Sequence, residues 1–114
     1  LTFTAFASAC EAMALAEAAD LDLQALGRVV RHTDALTGGP GAIMVRDNTH
    51  ELEPGHWLYD TFTHTRGLGE KDLSLALKLG ESVGVDLPLA EAALRSLAAG
   101  LGVPHRPAAS NEKE

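Results

Sequence analysis

Lys71 and Asp72 stand together ahead of the apolar run Leu73-Ser74-Leu75-Ala76-Leu77-Lys78-Leu79-Gly80, and they are the charged pair best placed to do chemistry. An ammonium at a cleft that excludes water can neutralise a carboxylate or a cofactor oxygen. The pair also has an ordinary reading: Asp72 as a first-turn carboxylate suited to the helix dipole, and Lys71 as a solvated or i,i+4-paired cation. His56, Asp60 and His64 fall at i, i+4, i+8, which would set three metal-binding side chains on one face if the segment is helical. The zinc pattern of two His one turn apart with a Glu beside the first is missing, so no metal site is assigned. Ser8 and Ser74 lie inside helical patterns, Ser82 and Ser96 near helix surfaces, and none sits in a nucleophile elbow. Gly38-Gly39-Pro40-Gly41 lacks the spacing, the preceding strand and the Lys of a phosphate-cradling loop, and reads as a turn.

The elements that must hold these residues are all helical. Phe3, Phe6, Cys10, Met13 and Glu17 follow a three-four rhythm from the start, predicting a first helix to about Ala19. Its first ten residues carry no charge, so burial on more than one side is expected. Asp22 is a candidate N-cap for a helix over Leu23 to Arg31, with Arg28, Arg31 and His32 in its last turn. Pro40 suits the first position of a third helix through Arg46, and Asp47 to Gly55 reads as a polar loop. His56 to His64 fits strand by its aromatic and Thr content and a short helix by its context. Leu73, Leu75, Leu77 and Leu79 alternate as in a strand, but no β-branched residue occurs from Lys71 to Gly80. A helix opening at Lys71-Asp72 and covered on two sides is therefore expected, closed by Gly84 at C′. Pro88 opens a last helix to about Leu101, and a frayed tail is expected from Gly102 onward.

The 114 residues, 46% hydrophobic, suffice for one core. With 3 Phe, 1 Trp and 1 Tyr, that core must be built mainly from Ala and Leu, which favours closely packed helices. A net charge of −7 argues against nucleic acid as a partner and gives no reason to expect an anionic membrane surface. No apolar stretch reaches membrane-spanning length, so a cytoplasmic location is expected. The single Cys10, in an Ala-rich helix, reads as a small buried hydrophobe. Ala7-Ser8-Ala9-Cys10 only faintly resembles a lipoprotein cleavage site, since a basic start is absent and an amphipathic helix continues past the Cys. Leu1 enters helical pattern at once and is read as lying within a helix of a longer chain.

The stretch Glu70 to Gly80, followed by Gly84 and Leu87-Pro88, closely resembles the signature of the C-terminal helical domain of β-hydroxyacid dehydrogenases. These are the 3-hydroxyisobutyrate dehydrogenase family, related to 6-phosphogluconate dehydrogenase. Glu11 to Ala19 sits where that family carries a similar Glu-Ala-x-x-Leu helix, and the resemblance runs from about Glu11 to His105. It implies an all-α domain of five to six helices over residues 1–103, with a tail over 104–114. It also implies hydride transfer between a small 3-hydroxy acid and NAD or NADP. Lys71 matches the family lysine that contacts the dinucleotide or the reacting end of the substrate, and Asp72 its neighbour, taken here as substrate-binding. The implied partners are an N-terminal Rossmann domain and further copies in a homo-oligomer.

Two departures accompany the resemblance. The family often places a Phe eight residues before the Asp; here that position is His64, with Phe62 two residues earlier. The Gly-x-Gly fingerprint, the Gly-rich carboxylate-binding segment and the general acid/base lysine followed by Asn do not occur in this sequence. The chain alone is therefore expected to be catalytically inert. The alternative reading is a helical interaction or ligand-binding module with no enzymatic parent.

Overall fold

A computed structural model describes residues 1–37 and 39–106, and every regular element among them is helical. Four α-helices, α1 (Thr2–Ala18), α2 (Leu23–Thr37), α3 (Tyr59–Val83) and α4 (Pro88–Gly100), are joined by loops and one 3-10 turn at Pro40–Ile43. The fold is all-α, as expected, with fewer and longer helices. None of these helices is long and apolar enough to cross a membrane.

Three of the helices stop by the same device. Asp20, Gly84 and Gly102 adopt left-handed backbone, with φ of 64°, 74° and 80°. In each case the next N–H reaches back to a carbonyl in the last turn: Leu21 to Ala16, Val85 to Gly80 and Val103 to Ala98, at 2.9–3.0 Å. This is the Schellman closure, which satisfies carbonyls left orphaned at a helix end. Glycine enters that conformation without steric cost, and Asp tolerates it better than most residues.

Asp22 caps α2 as expected, its Oδ1 accepting from the N–H groups of Gln24 (2.9 Å) and Ala25 (3.3 Å). The helix runs on past Arg31 to Thr37, because Arg31 to Thr37 contains no Gly or Pro. Arg28, Arg31 and His32 are consequently mid-helix residues rather than last-turn cations. The third helix expected from Pro40 to Arg46 is only the 3-10 turn. Its successor Met44 turns its carbonyl to Arg31 Nη1 (2.5 Å), and Asp34 Oδ2 accepts from Gly41 N–H (2.5 Å). These contacts clamp the turn against α2.

The largest correction concerns α3. It does not open at Lys71 but at Tyr59, twelve residues earlier, so Lys71 and Asp72 sit in the middle of a 25-residue helix. The first-turn reading of Asp72 therefore fails. Within α3, Gly69 is a packing residue: a Cβ there would lie 2.5 Å from Leu97 Cδ2 and 2.8 Å from Phe3 Cδ1. Nor is α3 covered on two sides. Phe62, Gly69, Leu73 and Gly80 are buried, while Leu75 and Leu79 are 57% and 64% exposed.

The core lies where α4 packs between α1 and α3, with Met13, Met44, Leu97 and Leu101 fully buried. Of the first ten residues, Phe3 to Ala7 are half-buried, and only Ala9 and Cys10 are fully inside. Gly102 and Val103 are not frayed: both are buried, Leu52 N–H donates to Gly102 O (2.8 Å), and Arg66 donates to Val103 O (2.6 Å). A hydrogen bond between His105 Nε2 and Glu70 (2.7 Å) and an ion pair from Arg106 to Glu51 (2.8 Å) continue this seam. The rest of the expected tail, 107–114, lies outside the described residues.

Candidate functional site

Helical spacing assembles one chemically mixed face on α3. His64, Leu68, Lys71, Asp72, Leu75 and Leu79 recur at intervals of three, four and seven, so they share the side of the helix opposite Phe62, Leu73 and Gly80. All six face outward; Leu68 is 40% exposed. Among the described residues, none of His64, Lys71 and Asp72 has an ion-pair or hydrogen-bond partner. Most other basic side chains are engaged in the fold: Arg31, Arg46 and Arg66 donate to backbone carbonyls, and Arg95, His105 and Arg106 pair with carboxylates. Lys71 therefore presents a free ammonium among exposed leucines. This is an arrangement for receiving an anion with an apolar body beside it.

The two aromatic candidates separate cleanly. Phe62 is buried under Arg46, whose guanidinium carbon lies 5.7 Å from the ring centroid. His64 lies on the same face as Lys71. His56, Asp60 and His64 do not share one helical face, because His56 precedes α3 in a turn where its Nδ1 accepts from Leu58 N–H (3.1 Å). Among the described residues no group of three His, Cys, Asp or Glu is placed to hold a metal ion.

Arg46 is the buried charge that sequence reasoning missed. Only 5% exposed, it donates from Nη2 to the carbonyl of Gly100, the last residue of α4 (2.8 Å), and from Nη1 to His50 O (3.4 Å). A cation at a helix C-terminus is favoured by the dipole. Burial nonetheless lowers the Arg46 pKa, partly opposed by Cys10 and Glu17. Its sequence signal was faint: one Arg directly after the apolar run Ile43-Met44-Val45.

Beside it, the Thr49 hydroxyl donates to Glu17 Oε1 and the Thr49 N–H to Oε2 (3.3 Å). These bonds, the hydroxyl's first, hold Glu17 below the usual carboxylate range. Burial pushes the Cys10 thiol up to about 11 against the opposing pull of Arg46, so it is an inert packing group, as expected.

A groove of about 600 Å³ runs between α1 and α4, lined by Ala7, Glu11 and Ala14 on one side and Leu89, Ser96 and Ala99 on the other. No α3 residue borders it.

The chain is 66% identical over 105 residues to a protein of Mycobacterium tuberculosis H37Rv named as an uncharacterized oxidoreductase. The counterpart of the same name in strain CDC 1551 matches equally. The match takes in 92% of this chain, and the chain spans 36% of the length of these curated relatives. A crystal structure from Mycobacterium avium 104, provisionally described as an oxidoreductase, shares 79% identity and a TM-score of 0.60. It covers 91% of this chain and 38% of that one. No family model matches. The chain thus corresponds to part of longer proteins that carry the name oxidoreductase.

Proposed function

We propose that this chain is the helical C-terminal domain of an NAD(P)-dependent oxidoreductase of the β-hydroxyacid dehydrogenase type, acting on a small 3-hydroxy acid. The outer face of α3 forms one wall of its active-site cleft. The observation that carries this reading is the free Lys71 ammonium beside Asp72, set among Leu68, Leu75 and Leu79 on a face that no described residue covers. A solvated helix face gains nothing from three exposed leucines, whereas a wall closed by a second domain buries them. The oxidoreductase names of the longer relatives support it.

A dinucleotide fits this wall: the ammonium is unpaired, and the flanking leucines offer an apolar surface to a ring. When bound, the nicotinamide supplies the hydride chemistry. Lys71 binds an anionic oxygen of cofactor or substrate where closure excludes water. Asp72 accepts a hydrogen bond from a substrate hydroxyl. The groups that bind most of the dinucleotide and shuttle the proton lie in a nucleotide-binding domain outside this chain, so the chain alone is inert. A homo-oligomer and a cytoplasmic location belong to the same proposal.

In the full-length protein, Lys71→Ala should lower kcat/KM on the order of a hundredfold. Stability should stay within about 0.5 kcal/mol of wild type, since the residue is exposed and Ala is a good helix former. Full activity with unchanged dinucleotide affinity would refute the assignment. The second reading, a non-enzymatic interaction module, has the α1–α4 groove in its favour. The coding sequence ahead of Leu1 separates the two, because only the dehydrogenase reading requires a strand–Gly-x-Gly–helix unit there.

A further inference from the structure

The helical glycines of this chain fall into two groups. A Cβ on Gly27 would clash with Met44 O, one on Gly69 would lie 2.5 Å from Leu97, one on Gly80 2.8 Å from Val85 O, and one on Gly100 2.8 Å from Cys10 Cβ. These four are glycines because a neighbour occupies the space. Gly67 is different: a Cβ there would meet nothing within 4 Å, and its φ is not left-handed. It lies mid-helix, where glycine is less favourable than alanine, and among the described residues no contact accounts for it.

Its neighbours indicate what it is for. His64 stands at i−3 and Lys71 at i+4, so the bare backbone at Gly67 lies between two exposed, unpartnered basic side chains on one row of the helix. Helical side chains lean back over the turn N-terminal to their own Cα, which brings the Lys71 stem over the Gly67 turn. Leu68 borders the row with an exposed apolar side chain.

We propose that Gly67, framed by His64 and Lys71, is a notch in which an anionic group of the bound ligand approaches the α3 backbone to van der Waals contact, so that Gly67 determines which ligands fit. The group is a carboxylate or a phosphate. The proposal rests on the reading of this face as a cleft wall, and extends it to a specific seat with two donors.

The test compares Gly67→Ala, Gly67→Leu and Lys71→Ala in the full-length protein. Each variant is measured for melting temperature, for NADH and NADPH affinity by fluorescence titration, and for KM toward 3-hydroxyisobutyrate. Gly67→Ala should raise the melting temperature by about 2 °C, from helix propensity alone. It should at the same time weaken one anion about tenfold. Gly67→Leu should keep the fold, since its Cβ enters open space, and weaken that anion further. Reduced dinucleotide affinity assigns the notch to a phosphate; a raised KM with unchanged dinucleotide affinity assigns it to a carboxylate. If Gly67→Leu matches wild type in both while Lys71→Ala is impaired, the notch is overturned and the cleft wall stands. If Lys71→Ala is also unimpaired, or the wild type binds neither dinucleotide, both are overturned.

Discussion

Replacing Arg46 by Met isolates how the fold tolerates a buried cation that has no carboxylate partner. In the native structure its Nη2 bonds the terminal carbonyl of α4 at 2.8 Å, and the guanidinium sits 5.7 Å from the Phe62 centroid, while Nε is buried without a partner. Loss of a hydrogen bond from a charged donor costs about 2 kcal/mol, which already includes most of the attraction to the helix end. Loss of the cation–π contact adds roughly 0.7 kcal/mol. The contact to His50 O at 3.4 Å is long and adds little. Against these, Met removes the unpaired Nε, whose burial costs about 1 kcal/mol. The net expectation is a destabilisation of about 2 kcal/mol. Arg46→Ala should cost on the order of 2 kcal/mol more, because the arginine stem then leaves a cavity. Urea unfolding with a constant slope gives both numbers from the shift in midpoint. An Arg46→Met protein as stable as wild type, or more so, would refute the reasoning. It would mean that burying the guanidinium costs more than its contacts return.

Gly69→Ala should destabilise the chain by about 1–3 kcal/mol, because the new methyl meets Leu97 and Phe3 at 2.5–2.8 Å where α3 is packed. Chemical denaturation measures it, and the contrast with Gly67→Ala two residues away is the control. Cys10, whose folded pKa rises from 9.0 to about 11, adds stability that is present below pH 9 and is lost as pH climbs from 9 to about 11. The loss should total about 2–3 kcal/mol in wild type. It should be missing from the stability–pH curve of Cys10→Ala, and an identical alkaline slope in the two proteins would contradict it.

Composition and helix punctuation determined the class of fold. Ala and Leu richness, Asp22, Gly84 and Pro88 are local signals: a cap, a left-handed stop and a proline at a helix start act through their own few residues wherever they stand. That Lys71 and Asp72 share a row with Leu75 and Leu79 is equally open to the helical period, though not that those leucines face outward. The structure adds a free ammonium on a face that no described residue covers.

Other features were settled only in three dimensions, because they depend on what lies across from a residue. Nothing local to Gly69 signals that it packs against Leu97 and Phe3, and the start of α3 at Tyr59, twelve residues before Lys71, follows from that packing rather than from a cap in the sequence. Arg46 reads as one charge among several until the end of α4, 54 residues away, proves to be its acceptor. Leu75 and Leu79 were expected to be covered, since hydropathy says that a side chain favours burial but not which partner supplies it. Gly67 and Gly69 are the same residue two positions apart. One faces Leu97 and Phe3 and the other open space, and only the packing of α4 and α1 against α3 tells them apart.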